Sequence, residues 1–204
     1  RQERLAKATK PFNARGAQLV RCERCLLAVP QCICNLLNPA QCKIDWILLM
    51  HRDEVLKPTN TGRLIAELFP SQTHIFEWSR TETPAGIEEL IGDPKRRVLI
   101  VFPSEHAMTP CTANLQTTQS QLRLTLILLD GTWKQARKMF NRTPWLAGLT
   151  SISPTPQAAA QYTLRKAAHA NCLSTAEAAI LLLQDLDPIA ARSLGTVFSQ
   201  FNQG

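Results

Sequence analysis

The chain has 204 residues, of which 45% are apolar and 19% charged, and its lysines and arginines outnumber its acidic residues by 23 to 16. This length and composition exclude a disordered chain and allow one sizeable core with a small appended module. The net charge of +7 favours a polyanionic partner, and nucleic acid is the commonest such partner of a soluble protein, although solubility alone would also account for the charge.

Neither a membrane segment nor a secretion signal is evident in the sequence. No apolar run approaches the roughly 20 residues that a membrane-spanning helix needs, and the first ten residues, RQERLAKATK, lack the apolar part of a signal peptide. The seven cysteines are an odd number, and four of them fall within residues 22–34, which argues against a secreted disulfide scaffold. We therefore expect a cytoplasmic protein with reduced thiols and no membrane contact.

The N-terminal part of the chain differs in composition from the rest. Residues 1–21 are basic and polar, and residues 22–40 hold four cysteines with too few apolar residues to form a core of their own. From Lys43 onward, apolar segments recur at short intervals. The sequence therefore predicts a basic segment with a cysteine module over residues 1–42 and a main domain over residues 43–204.

Within the main domain, segments typical of strands alternate with segments typical of helices. The predicted strands are short apolar runs rich in β-formers, at residues 44–50, 73–78, 97–102 and 122–129. Helical patterns occupy residues 61–69, 131–141, a segment that begins at the capping box of Ser174 and Glu177, and residues 188–201. Continuous apolar strands that alternate with helices predict an α/β fold with a parallel sheet covered on both faces.

The cysteine module has a spacing suited to a metal ion. Four thiols follow the pattern C-x2-C-x6-C-x1-C, at Cys22, Cys25, Cys32 and Cys34. Zinc takes four soft ligands in a tetrahedron, and a C-x2-C turn supplies two of them. The competing interpretations are two disulfides or unpaired structural cysteines. We expect a structural zinc site, with no open position for catalysis.

Polar residues follow three of the predicted strands. In an open parallel sheet, ligands bind beyond the carboxyl ends of the strands, so the segments at 51–64, 103–107 and 130–133 form the candidate site. On spacing alone, Asp130 is favoured as the N-cap of the helix that begins near Thr132, and Trp133 has an equally simple interpretation as a core residue. The basic side of that helix would then be an ordinary solvated face.

Several motifs in order resemble those of the DTW-domain family. Residues 130–133, DGTW, match the D-x-T-W signature, and TNTGRL at 59–64, PSEHA at 103–107 and CLSTAEA at 172–178 extend the similarity over nearly the whole chain. One departure is His106, where an acidic residue is expected. The overall arrangement is most similar to the bacterial tRNA-uridine aminocarboxypropyltransferases of this family.

This resemblance implies a fold and a reaction that the residue patterns alone do not. The family is related to SPOUT-type enzymes, whose parallel sheet carries a C-terminal trefoil knot that holds S-adenosylmethionine. The implied reaction moves the 3-amino-3-carboxypropyl group of S-adenosylmethionine to N3 of a tRNA uridine, expected in the variable loop, and releases 5′-methylthioadenosine. A monomer that binds tRNA is expected.

The resemblance also implies roles for individual residues. Asp130 would deprotonate N3, or would instead hold the uridine or the ammonium group of the co-substrate. The predicted cofactor-binding residues are Phe102, Pro103, Ser104, Glu105, Leu128, Gly131, Thr132, Trp133 and Arg165. The predicted contacts to tRNA phosphates are Lys57, Arg63, Lys134, Arg137 and Lys138. Two rival functions are an RNA methyltransferase of the SPOUT type and a non-catalytic RNA-binding protein that carries zinc.

Overall fold

A computed structural model describes residues 19–103, 122–154 and 173–203 of the chain. Its centre is a parallel sheet of five strands in the order β2-β1-β4-β3-β5. The strands are β1 Asp45–Met50, β2 Thr73–Glu77, β3 Arg96–Val101, β4 Arg123–Asp130 and β5 Ser151–Ile152. The four predicted strands are confirmed, and the two-residue β5 was not predicted. The parallel sheet of the predicted α/β fold is therefore present.

Six α-helices surround the sheet in the described parts of the chain. They are α1 Gly62–Leu68, α2 Ile87–Gly92, α3 Trp133–Asn141, α4 Pro144–Ala147, α5 Thr175–Leu186 and α6 Pro188–Asn202. The helices predicted at 61–69, 131–141 and 188–201 are confirmed, as is the capping box that begins α5 at Ser174. Helices α2 and α4 were not predicted. None of the helices in the described ranges is long and apolar enough to cross a membrane.

Both faces of the sheet are buried, and alternate residues of the central strands supply the two cores. Trp46 and Leu48 of β1 point into a core that includes residues of α1, α5 and α6. Ile47 and Leu49 point into the opposite core, which includes residues of α2, α3 and α4. All six residues of β1 are buried, as expected for a strand covered on both sides.

The cysteine module shares the first of these cores. Its buried residues Cys25, Leu27, Ile33 and Leu37 belong to the same cluster as β1, α1 and α6. Because the module has few apolar residues, this packing supplies the burial that it lacks on its own. The division of the chain at residue 42 stays a prediction.

A charged cluster ties the strands together at the amino edge of the sheet. The buried carboxylate of Asp45 accepts hydrogen bonds from Arg96 Nη1 at 2.5 Å and from Arg123 Nη2 at 2.7 Å. Arg123 and Asp130 lie at opposite ends of β4, about 23 Å apart at the usual rise of a strand, so this cluster is remote from the carboxyl edge of the sheet.

Candidate functional site

The candidate site lies at the carboxyl edge of the sheet, where β1 and β4 end side by side. Asp130 is the last residue of β4 and pairs in register with Met50 of β1. The next residue of the β1 loop, His51, donates its backbone N–H to the Asp130 carbonyl over 2.9 Å. Asp130 is therefore adjacent to the start of the loop that follows β1.

The N-cap of α3 is Thr132, so the interpretation of Asp130 as the cap was wrong. Thr132 Oγ1 accepts the backbone N–H of Gln135, and the Gln135 side chain accepts the backbone N–H of Thr132 at 2.8 Å, which is a complete capping box. With the first turn of α3 satisfied in this way, the carboxylate of Asp130 has other partners.

Those partners come from two distant parts of the chain. Asn60 Nδ2 donates to Asp130 Oδ2 over 2.5 Å, and Thr175 Oγ1 donates to Oδ1 over 2.6 Å. Asp130 is only 2% exposed, and Asn60 is also 2% exposed. A buried carboxylate that accepts a hydrogen bond on each oxygen is held in one orientation. The site thus presents a fixed acidic group at the end of β4.

Gly62 makes this arrangement possible. A Cβ atom built on Gly62 would lie 2.7 Å from Asp130 Cγ and 2.7 and 2.8 Å from the two carboxylate oxygens. The adjacent Thr61 accepts the backbone N–H of Ala176 on its hydroxyl at 3.3 Å, which joins the same loop to the first turn of α5. Only glycine fits at position 62, because a Cβ atom there would overlap the Asp130 carboxylate.

Thr175 was not expected in the site, whereas Asn60, Thr61 and Gly62 lie within the candidate segment 51–64 but were not expected to contact Asp130. All four lie within the motifs TNTGRL and CLSTAEA that carry the family resemblance, but no role was given to them. The signal that could have identified them is that both motifs lie next to predicted helix starts, where side chains and backbone N–H groups are available to a carboxylate.

Two of the predicted phosphate contacts have protein partners. Lys57 Nζ lies 2.7 Å from the fully buried Glu54, and the Lys57 side chain is 31% exposed. Arg63 Nη2 donates to the carbonyls of Cys25 and Pro58, the latter at 3.1 Å. The prediction that these two residues also contact tRNA stays a prediction.

The other predicted phosphate contacts form one surface. Lys134, Arg137 and Lys138 are exposed on α3, while its Met139 and Phe140 are buried against the sheet. This amphipathic arrangement places the basic face toward solvent within three turns of Asp130. Contact with tRNA stays a prediction for this face.

The predicted cofactor residues within the described ranges lie around the ends of β3 and β4. The Phe102 ring stacks on Trp133 at 5.6 Å and on Phe140 at 4.3 Å between centroids. Leu128 is buried within β4, whereas Pro103, Gly131 and Trp133 are partly exposed and Thr132 is exposed. Ser104, Glu105 and Arg165 lie outside the described residues. The cofactor-binding roles stay predictions.

His51 adds a neutral imidazole to this edge. The residue is 7% exposed, its ring stacks on Trp78 with 5.7 Å between centroids, and its Nδ1 accepts the backbone N–H of Asp53 at 3.2 Å. Burial lowers the pKa of His51 below its ordinary value of 6.5. Because Nδ1 is an acceptor, the proton of the neutral ring is on Nε2.

The four cysteines of the module converge as a metal site requires. All four sulfurs lie within 4.8 Å of one another, with Cys22 Sγ 3.4 Å from Cys34 Sγ and Cys25 Sγ 3.8 Å from Cys32 Sγ. A tetrahedron with zinc–sulfur bonds of about 2.3 Å separates its sulfurs by about 3.8 Å. The donor set therefore fits a structural zinc ion.

The turn of the C-x2-C motif favours the thiolate form of one ligand. Backbone N–H groups of Cys25 and Arg24 lower the pKa of Cys22 to about 6. In the same turn Leu26 has a φ of 59°, and its N–H donates to the Cys22 carbonyl at 2.9 Å. Backbone N–H groups directed at a cysteine sulfur are a feature that stabilises a metal-bound thiolate.

Comparison with known proteins gives this site a family. The DTW domain matches residues 19–204. The chain is 25% identical over 173 residues to tRNA-uridine aminocarboxypropyltransferase 2 of Drosophila melanogaster. The aligned residues are 82% of this chain and 66% of that protein. It is 26% identical over 172 residues to the protein of the same name from Macaca fascicularis, with 81% of this chain and 56% of that protein covered.

The chain thus spans less than two thirds of the length of these relatives. No solved structure matches it significantly. The domain match covers the cysteine module, the loop of Asn60 and Gly62, Asp130 and the first turn of α5. The chain therefore belongs to the DTW-domain family.

Proposed function

We propose that this protein transfers the 3-amino-3-carboxypropyl group of S-adenosylmethionine to N3 of a tRNA uridine, in the variable loop, and releases 5′-methylthioadenosine. The names of the two relatives and the family membership support this activity. The observation that carries the proposal is the buried Asp130, fixed by Asn60 and Thr175 at the carboxyl edge of the sheet, directly before a basic helix.

The reaction requires that S-adenosylmethionine is oriented toward the uridine and that a base accepts one proton. The sulfonium of S-adenosylmethionine activates three carbons, and the transfer forms a bond from N3 to the γ-carbon of the methionyl group as the bond from that carbon to sulfur breaks. N3 of uridine is a weak acid and carries its proton at neutral pH, so this proton must pass to a base as the bond to carbon forms. A carboxylate oxygen can accept more than one hydrogen bond, so the bonds from Asn60 and Thr175 are compatible with a bond from the substrate to Asp130.

The donor of that bond is either the N3–H of the uridine or the ammonium group of the co-substrate. In the first case Asp130 is the general base. In the second case Asp130 holds the ammonium group of S-adenosylmethionine, so that the γ-carbon and not the methyl group faces N3 of the uridine. The remaining cofactor contacts are assigned to the ends of β3 and β4, with Ser104, Glu105 and Arg165 supplied by segments outside the described residues. Arg165 would pair its guanidinium with the carboxylate of the transferred group.

The tRNA would lie across the exposed basic face of α3. Phosphate contacts supply affinity and position the substrate, and Lys134, Arg137 and Lys138 are exposed side by side. Lys57, in the loop after β1, would flank this face. The cysteine module, with a structural zinc ion, and the basic residues 1–21 would extend the surface.

The SPOUT relationship is a further part of the proposal. It is supported by the return of α5 from near the end of the chain to the carboxyl end of β4, where Thr175 meets Asp130. Such a return is what a C-terminal knot around the cofactor would require. We also propose that the protein is a monomer and that it is cytoplasmic, and the free cysteines of the cluster support the second of these.

Nucleoside analysis tests the proposal directly. Purified protein is incubated with S-adenosylmethionine and unmodified tRNA, and the digested nucleosides and the small-molecule product are identified by mass spectrometry. Uridine that gains the aminocarboxypropyl group, with 5′-methylthioadenosine released, is the expected result. Methylated nucleosides with S-adenosylhomocysteine would show a methyltransferase instead, and tRNA binding without any product would show a binding protein. Asp130→Asn, which keeps the shape and removes the charge, should abolish transfer.

A further inference from the structure

A chain of hydrogen bonds runs from the cysteine module to Asp130. The Arg63 guanidinium donates to the carbonyl of Cys25, a predicted zinc ligand. The backbone N–H of Arg63 donates to Asn60 Oδ1 at 3.1 Å, and Asn60 Nδ2 donates to Asp130 Oδ2 at 2.5 Å. Three contacts thus connect the zinc knuckle with the carboxylate of the candidate site.

The orientation of the Asn60 amide follows from these contacts. Its oxygen must face the Arg63 N–H, because an N–H cannot donate to the amide NH₂, and its NH₂ must face the carboxylate, which is only an acceptor. Arg63 therefore has two roles. Its side chain bonds the cysteine module, and its backbone N–H fixes the Asn60 amide so that the NH₂ group faces Asp130. The first turn of α1 is the shared element.

The guanidinium is itself firmly placed. Arg63 Nη2 also reaches the Pro58 carbonyl at 3.1 Å, and its Cζ lies 5.5 Å from the centroid of the Phe201 ring in α6. Cys25 is 1% exposed and Phe201 is fully buried. The side chain thus joins the zinc knuckle, the loop that precedes α1 and the C-terminal helix.

A second contact joins the module to α1 without reaching the site. Arg24 Nε lies 2.8 Å from Glu67 Oε2, and both side chains are substantially exposed, at 44% and 34%. Glu67 is in the same helix as Arg63, one turn further from Asp130. An exposed pair of this kind contributes little to stability, typically about 0–1 kcal/mol. It provides a matched control for the buried contact.

We propose that Asn60 and Arg63 are positioning residues for Asp130, and that the metal-bound knuckle of the cysteine module is the distant anchor of that arrangement. The module is then part of the framework of the transfer site as well as an RNA-binding surface. This inference rests on the proposed function for the role of Asp130 in transfer. The hydrogen-bonded framework itself can be tested without catalysis.

The kinetic test separates positioning from phosphate binding. Asn60→Ala and Arg63→Met should each lower kcat about 10–100-fold, the usual effect of removing a partner that orients a reacting group, with KM for tRNA within about twofold of wild type. Arg63→Lys should show the same pattern, because the lysine side chain is one bond too short to place its nitrogen at the Nη2 position and lacks the planar guanidinium that lies over Phe201. Glu67→Ala should behave as wild type.

The pH profile adds a readout that a merely structural role would not move. Asn60→Asp would place a second carboxylate beside Asp130, where the two charges repel, so the acidic limb of kcat/KM should shift to higher pH. Asn60→Ala should lower the rate without that shift. A profile for Asn60→Asp that matches Asn60→Ala would overturn the role of Asn60.

The test independent of activity is hydrogen exchange over residues 58–66, measured with and without zinc. Removing zinc from the wild-type protein should speed exchange in this segment and leave α3, residues 133–141, unchanged. Zinc-loaded Arg63→Met should already show the faster exchange, with no further increase when zinc is removed. Glu67→Ala should retain the wild-type response to zinc.

Two results would overturn the proposal. One is an Arg63→Met variant with normal kcat, a raised KM for tRNA and a salt dependence reduced by about one counterion, which is the signature of a phosphate contact. The other is exchange at 58–66 that does not respond to zinc. A wild-type protein that transfers nothing would refute the proposed function instead, and the exchange experiment would still decide whether the framework exists.

Discussion

The hydroxyl of Thr175 lies 2.6 Å from Asp130 Oδ1, so the first residue of α5 meets the last residue of β4 across 45 positions of sequence. The contact brings the N-terminal end of α5, with its partial positive charge, to a buried carboxylate. The same helix end also binds Thr61 through the Ala176 N–H. Three segments of the chain are thus joined around Asp130.

Replacing Thr175 should show how much its hydrogen bond to Asp130 contributes to stability and to transfer. Thr175→Val keeps the shape but removes a donor from a buried carboxylate, so we expect the free energy of unfolding to fall by about 1–3 kcal/mol. Transfer should fall in parallel because the carboxylate loses the hydrogen bond that holds Oδ1. Thr175→Ser, which keeps the hydroxyl, is the control. Urea denaturation and transfer rates measure both effects, and equal values for Val and Ser would mean that the hydroxyl is dispensable.

Gly62→Ala should damage the site through a steric contact alone. The added methyl group would lie 2.7 Å from Asp130 Cγ, so the carboxylate or the helix must move. A displacement of about 1 Å in a reacting group can cost about 100-fold in rate. Gly195→Ala in α6 meets no atom within 4 Å and should be neutral or slightly stabilising. Similar rates for the two variants would show that the close approach to Asp130 is unimportant.

Charge reversal on α3 should weaken tRNA binding more at low salt than at high salt. Lys134→Glu and Lys138→Glu each remove one exposed cation, so each should reduce the slope of log K against log salt by about one. Lys95→Glu, an exposed lysine at the amino edge of the sheet, is the matched control. Filter binding over a range of salt concentrations makes the measurement. An equal loss for Lys95→Glu would mean that overall charge, and not this face, binds tRNA.

The buried His51 should make stability depend on pH. Burial lowers its pKa in the folded protein below the ordinary value of 6.5, so the unfolded chain takes up a proton first as the pH falls. The free energy of unfolding should therefore decrease below about pH 6.5 and stop decreasing, for this group, below the folded pKa. His51→Gln should remove this part of the slope, and His74→Gln, at a partly exposed position of β2, is the matched control. An unchanged slope in His51→Gln would exclude the effect.

Metal content is the decisive test of the cysteine module. The protein as purified should contain about one zinc ion per chain, and Cys34→Ser should lower both zinc content and thermal stability. Cys42→Ala, which removes a buried thiol outside the cluster, should leave zinc content unchanged. Plasma emission spectroscopy and thermal unfolding make the two measurements. A zinc-free wild-type protein with full stability would refute the site.

The centre of the sheet was predictable because β1 and β4 are nearly continuous apolar runs. Residues 45–50 and 124–129 have no competing pattern, and the helices that follow them begin with clear signals. β5 consists of Ser151 and Ile152 alone, which is too short to form a recognisable pattern. The fold class therefore followed from local sequence, and the smallest elements did not.

The geometry of the site was less accessible. Asp130 was interpreted as a helix cap on its spacing from the predicted helix start, whereas the T-x-x-Q spacing of Thr132 and Gln135 already indicated the true cap. The contacts of Asn60 and Thr175 with Asp130 join residues 70 and 45 positions apart. Such contacts depend on how elements pack, and no local pattern determines them.

The dependence of Asp130 on Thr175 has a consequence for synthesis of the protein. The sheet residues up to 130 leave the ribosome first, but the donor for Oδ1 follows 45 residues later, which is about 2–9 s at 5–20 residues per second. During that interval a nascent chain has the carboxylate without one of its restraints. The arrangement that we assign to transfer is therefore among the last to form, and a chain whose translation stops before α5 cannot assemble it.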